Sequence, residues 1–146
     1  MSDYPQSIVN ADIGCYTLAA LPPLEAIHSC VAMGASIGMA AGAAHAGYSP
    51  AVAAIGDSTF FHSGITGLAD VAYNKGATTV IIVDNSITAM TGHQHHPGTG
   101  MTLMGEPTTK LDYIALAKSL GVKDARAVNA YDMAAVKSAI KEAVDN

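Results

Sequence analysis

Asp57 and Asn85 are the residues of this chain best placed to do chemistry. Each closes on an apolar run, 51–55 (AVAAI) and 78–83 (TTVIIV), and a helical stretch lies between them. A carboxylate and an amide oxygen delivered by two neighbouring strand ends are hard oxygen ligands of the kind magnesium takes, and magnesium usually fills its remaining positions with phosphate oxygens. The helix that follows Gly56-Asp57-Ser58 turns free N–H groups and the positive end of its dipole toward the same place, which favours a diphosphate there. Gly56 allows the backbone to come close. Alone, Asp57 is explained equally well as a helix cap; its pairing with Asn85 is what points to a metal.

Other reactive side chains carry less. His62 follows the Asp57 motif, and an imidazole titrating near neutrality could give a proton to a reacting carbonyl, although a histidine packed at a helix start reads the same way. His93, His95 and His96 lie in a glycine-rich loop with no strand or helix to fix their geometry, so a solvated loop or a substrate-side flap is expected before a second metal site. Cys15 and Cys30 have no CxxC spacing, which excludes a structural zinc or an iron-sulfur cluster on this chain and leaves two buried free thiols as the expectation.

The elements that must position these residues alternate. A first strand over 7–13 runs into Gly14, Cys15 and a Pro22-Pro23 loop. A helix is expected over 27–46, with Gly34, Gly38 and Gly42 on one face that some neighbour must approach closely. The strand at 51–55 leads through Gly56-Asp57-Ser58 to a helix over 64–74, with Ile65, Leu68, Ala69 and Ala72 inward. The β-branched run at 78–83 is a strand buried on both faces. Residues 86–107, rich in Gly, Thr, His and Pro, form a long loop of the functional kind. Thr108 or Thr109 caps a helix over 111–120, 125–128 adds a short strand, and Asp132 caps a last helix with Met133, Val136, Ile140 and Val144 on one stripe. The alternation predicts a single α/β domain over 1–146, a doubly wound and mainly parallel sheet with helices on both faces and ligands beyond the carboxyl ends of its strands.

Composition limits the function classes. The formal charge of -5 and a handful of scattered Lys and Arg exclude a basic nucleic-acid surface. Neither GxGxxG nor GxxxxGK[ST] follows a strand, which argues against a nucleotide diphosphate. Residues 26–56 carry no charged side chain, yet their Gly, Ser, His and Pro make a membrane span a poor reading. The first ten residues have no secretory pattern, and a cytoplasmic setting is expected.

Three tracts then identify a likeness: GDSTFFHSGI, DNSITAMTGHQ with HPGTG after it, and DIGCYTLAALPP followed by MGASIGMAAG. From about Asp12 to near the C-terminus they resemble the C-terminal thiamine diphosphate-binding domain of the indolepyruvate ferredoxin oxidoreductase alpha subunit, in the 2-oxo acid ferredoxin oxidoreductase family. GDS, 26 residues and Asn85 match the spacing of the thiamine diphosphate signature, with Ser58 in place of its third Gly and its second Asn replaced. The resemblance implies thiamine diphosphate and Mg2+ as cofactors. Asp57, the Asn85 side chain and the Ile87 backbone carbonyl would ligate the metal. Ser58 and the tract Thr88, Ala89, Met90, Thr91 would contact the diphosphate or thiazolium, and Gly14, Cys15, Met33, Gly34 and Ser36 would border the cofactor from the opposite side.

It further implies oxidative decarboxylation of an arylpyruvate such as indolepyruvate to the acyl-coenzyme A, with ferredoxin as acceptor. The activating Glu of the pyrimidine domain and the iron-sulfur cysteines have no counterpart here. Glu25, Glu106 and Glu142 are poorly placed for that role, so partner domains or subunits are expected to bring both. A non-oxidative 2-oxo acid decarboxylase subunit and a non-catalytic binding or assembly module are the competing readings. Exposed Gly and Ala surface predicts a symmetric homodimer.

Overall fold

Small apolar residues suit β3 (Ala51–Gly56) to an interior position in the four-stranded parallel sheet of the computed structural model, which describes residues 4–145. The order is β2-β1-β3-β4, with β1 at Ile8–Ala11, β2 at Ser29–Cys30 and β4 at Thr78–Val83. Ala51 pairs with Ile8 on one side and Thr78 on the other, and Gly56 pairs with Val83. Ala51, Val52 and Ala53 are all buried. Because successive side chains point to opposite faces, both faces of β3 are covered, as a doubly wound sheet requires.

Helix α1 (Ala35–His45) packs its Ile37, Ala40 and Ala41 into the core with Ile55, Phe60, Leu68, Val71 and Ala117. No loop separates β3 from the next helix. Asp57 opens one helical run made of α2 (Asp57–Thr59), a π-helical stretch Phe60–Gly64 and α3 (Ile65–Tyr73). Two further helices follow the long loop, α4 (Tyr113–Ser119) and α5 (Met133–Asp145), and Thr79 of β4 donates its hydroxyl to the Ala143 carbonyl of α5 at 3.0 Å.

Several expectations need correction. The helix expected over 27–46 starts only at Ala35, since 29–30 pair with Asn10 and Ala11 as an edge strand and Gly34 turns the chain at φ +87°, a backbone no helix continues through. What holds the start of α1 is Asp12 at the end of β1. Its fully buried carboxylate accepts the Ser36 N–H at 2.8 Å and the Ser36 hydroxyl at 2.9 Å, as an N-terminal helix turn favours. Of the three glycines, Gly34 is closely approached, by Ser63, but Gly38 and Gly42 are not, for a Cβ on either would meet nothing within 4 Å; a further approach to α1 comes at Gly67, where a Cβ would stand 3.2 Å from Ile37.

The helix expected to begin at Gly64 begins seven residues earlier, and within α3 its buried positions are Leu68 and Val71, with Ile65, Ala69 and Ala72 half-buried. β4 is an edge strand, half-buried rather than buried on both faces, because no strand pairs beyond it among the described residues. No strand forms at 125–128. Arg126 binds Asp124 and, at 2.6 Å, Glu142 of α5, and no ladder includes the segment. Asp112, not Thr108 or Thr109, caps α4, accepting the Ala115 N–H at 2.8 Å. Asp132 caps α5 as expected, through the Ala135 N–H, but Met133 and Ile140 of its stripe are exposed. Both thiols are exposed, Cys15 on a 3₁₀ turn (Cys15–Ala20) that buries nothing and Cys30 on the outermost strand. Among the described residues no helix is long and apolar enough to cross a membrane.

Two measurements check this arrangement. Asp12→Ala leaves two buried Ser36 donors without an acceptor, and denaturant unfolding should show a loss of about 1–3 kcal/mol. Ellman's reagent should titrate Cys15 and Cys30 in the native chain without denaturant; a slow, denaturant-dependent reaction would contradict their exposure.

Candidate functional site

The parallel register brings the ends of β1, β3 and β4 to one edge of the sheet, and the candidate residues gather there. Asp57 is buried, its side chain only 5% exposed. One carboxylate oxygen accepts the Ser58 N–H at 2.7 Å and the other meets His96 Nε2 at 3.1 Å. No third residue of this kind joins them. Among the described residues no group of three His, Cys, Asp or Glu could hold a metal, so any cation here needs amide, carbonyl or phosphate oxygens as well.

Asn85 supplies such an oxygen at the end of the adjacent strand. It is exposed, and its Oδ1 accepts the Ile87 N–H at 3.2 Å, which closes a local turn. Among the described residues no hydrogen bond links Asn85 to Asp57; what ties the two strand ends together is Thr88, whose hydroxyl donates to Ser58 Oγ at 2.7 Å. Thr88 also bridges to Gln94, and Thr91 donates to the Gln94 side chain at 2.6 Å, so Ala89 and Met90 sit at the tip of a closed turn with Met90 exposed.

The opposite flank is built from the residues after β1. Gly14 precedes the 3₁₀ turn, and Tyr16 from that turn accepts the Gly56 N–H on its hydroxyl at 2.9 Å. A Cβ on Gly56 would stand 3.1 Å from the Tyr16 ring, tighter than an ordinary contact. Met33 and Gly34 meet the π-helical stretch: the Ser63 hydroxyl donates to the Met33 carbonyl at 3.3 Å, and a Cβ on Gly34 would fall 2.3 Å from Ser63 Oγ. Ser36 lies fully buried with its polar groups on Asp12, so it supports this flank from behind. Cys15 is exposed at the flank's edge. His62 is exposed, within 3.1 Å of Ser63 Oγ, and helps line a cleft of about 550 Å³ shared with Ser58, Phe61, His95 and Leu103.

Sequence reasoning missed three residues here. Tyr16 and Asp12 lie inside the DIGCY tract but carried no assigned role. His96 is expected with its neighbours in a solvated loop or a substrate-side flap, and the structure corrects the solvated part: it is buried against Asp57, while His93 is exposed and His95, half-buried, lines the cleft. The signal was the turn that follows it. Gly98 can hold no side chain, since a Cβ would meet the Tyr113 hydroxyl at 2.4 Å and Phe61 at 2.6 Å. Phe61, Tyr113 and Phe60 pack as an aromatic wall behind the histidine, with Phe61 and Tyr113 centroids 4.8 Å apart. Burial raises the Tyr113 hydroxyl well above its ordinary pKa.

The fold is that of thiamine diphosphate enzymes. A 2-oxoglutarate:ferredoxin oxidoreductase from Magnetococcus marinus superposes with a TM-score of 0.84 over 99% of this chain and 52% of that one, at 19% identity. A benzoylformate decarboxylase from Polynucleobacter necessarius gives 0.64 over 99% of this chain and 29% of its own, at 17% identity. Residues 12–146 match the family described as "Thiamine pyrophosphate enzyme, C-terminal TPP binding domain", and the chain belongs to that family. In sequence it is similar to indolepyruvate oxidoreductase subunit IorA of Pyrococcus abyssi, 39% identical over 97% of this chain, and of Archaeoglobus fulgidus, 40% identical over 93%. The chain spans 24% and 22% of the lengths of those two relatives.

Tyr16 provides a test of the flank. Burial above all pushes its hydroxyl up to about 12, against the pull of the donated Gly56 N–H. The neutral hydroxyl is thus favoured by folding, so its contribution is whole below the ordinary value near 10 and lost as pH rises through 12. Denaturant midpoints taken at about pH 9 and about pH 11.5 should fall further for the wild type than for Tyr16→Phe, which at neutral pH costs roughly 1 kcal/mol.

Proposed function

We propose that this chain is the diphosphate- and Mg2+-binding part of a thiamine diphosphate-dependent 2-oxo acid ferredoxin oxidoreductase acting on arylpyruvates such as indolepyruvate. The observation that carries the reading is the buried Asp57 carboxylate at the end of β3, with Asn85 at the end of the strand beside it. The donor set fits the group. Asp57 is a buried anion whose partners are a backbone N–H and an imidazole, and oxygen ligands from Asn85 and the Ile87 carbonyl suit a hard cation that completes its shell with phosphate. Ser58 and Thr88, joined by their hydroxyls at the start of the helical run, suit the diphosphate.

When bound, thiamine diphosphate supplies the nucleophilic carbon that adds to the 2-oxo carbon and the electron sink that carbon dioxide departure needs. The chain's own residues do the rest. Asp57 and Asn85 would hold the metal, and Met33, Gly34, Gly14 and Cys15 would border the cofactor. His62, on the cleft wall with Ser58, would hold or move a proton at the substrate oxygen. The full reaction, to an acyl-coenzyme A with ferredoxin as acceptor, takes a pyrimidine domain and iron-sulfur centres from partner domains or subunits. The chain works in the cytoplasm as a homodimer. The similarity to IorA, whose name states indolepyruvate oxidoreductase, supports the substrate.

Calorimetric titration of thiamine diphosphate with and without Mg2+ checks the site. Magnesium-dependent binding is expected for the wild type and none for Asp57→Ala combined with Asn85→Ala. Binding that survives the double substitution overturns the metal assignment.

A further inference from the structure

The imidazole beside Asp57 has only one arrangement of its proton that satisfies both of its neighbours. Gly98 donates its N–H to His96 Nδ1 at 3.2 Å, so Nδ1 must present a lone pair. The ring proton therefore sits on Nε2, where it points at Asp57 Oδ2 at 3.1 Å. Both side chains are almost wholly removed from solvent, at 4% and 5% exposure, so no water competes for this bond. The ring is held from behind by Phe61, with centroids 6.0 Å apart, and by the tight turn at Gly98, where a Cβ would stand 3.0 Å from His96 Cε1.

We propose that His96 is a positioning residue for the metal ligand Asp57, acting as an Nε2–H donor whose tautomer the Gly98 backbone sets. This rests on the reading of Asp57 as a ligand given above. A carboxylate turns freely about its last torsion unless both oxygens are engaged. Ser58 N–H holds Oδ1 and His96 holds Oδ2. Each oxygen keeps a second lone pair, so the two donors fix the plane of the carboxylate without taking the position a cation would use. The arrangement reverses the familiar one in which a carboxylate orients a ligating histidine.

The test compares His96→Leu, which removes the donor, with His96→Gln, whose amide can place an N–H near the same point. Mn2+ binding in the presence of thiamine diphosphate, followed by electron paramagnetic resonance, should weaken roughly 10–100-fold in His96→Leu and recover most of the way in His96→Gln. Asp57→Ala is measured alongside. If Asp57→Ala binds Mn2+ as the wild type does, the reading of Asp57 as a ligand fails. If Asp57→Ala loses binding and His96→Leu does not, the ligand reading stands and the role of His96 is overturned. A second readout needs no metal and no substitution that threatens folding: nitrogen-15 NMR of the histidine-labelled wild-type chain should place the His96 proton on Nε2. A proton on Nδ1 overturns the proposal.

Discussion

Parallel pairing on both sides of β3 is the constraint from which the rest of the molecule follows. A strand with a parallel neighbour at each edge cannot reach either by a hairpin, so the chain must leave the sheet and return over its faces after every pass. All the strand ends then open on the same side. Asp12, Asp57 and Asn85 lie at the ends of β1, β3 and β4 for this reason, although the first two are 45 positions apart in sequence. The small residues of β3 are the condition for it, because Ala51, Ala53 and Ala54 let α1 and its neighbours lie close enough to keep water from both faces.

Crowding charge into that edge requires local compensation. Asp12 and Asp57 are both buried, and isolated buried carboxylates are costly unless hydrogen-bonded. The structure meets the two cases differently. Asp12 turns into a helix start and takes two donors from one residue, Ser36, which makes it a structural clamp between sheet and helix. Asp57 faces the loop side, takes one donor from its own turn and one from a residue 39 positions away. That long-range contact means the conformation of the 86–107 loop and the orientation of the carboxylate are set together.

The legible part of the sequence was the part governed by short-range pattern. The β3 strand, the 78–83 run, Asp57 at a strand end and Asn85 at the next follow from apolar runs broken by polar residues, and Asp132 as a cap follows from side-chain chemistry. What stayed hidden depended on partners distant in sequence. Residues 27–46 together have the length of a helix, but β1 needed an edge partner and recruited Ser29 and Cys30. His96 looked like its neighbours His93 and His95 until the fold placed Asp57 opposite it. The run at 78–83 has the apolar character of a doubly covered strand, yet its place in the order of strands is not written in its composition.

The π-helical stretch at Phe60–Gly64 has a consequence for how this segment can vary. Its turns are wider than those of the α-helix on either side, as if one extra residue had been taken up without breaking the run. Loss of a single residue there would return the wide turn to an ordinary α-helical one while the segments on either side keep nearly their present phase. The frame shared by Asp57 and by Leu68 and Val71 in the core would survive, and the change would fall on His62 and Ser63, which reach the cleft and the Met33 turn from the wide turn itself. Deletion of one codon in this stretch is therefore a local event, whereas the same deletion in α3 turns everything before the gap by roughly 100° against everything after it and is a change of architecture.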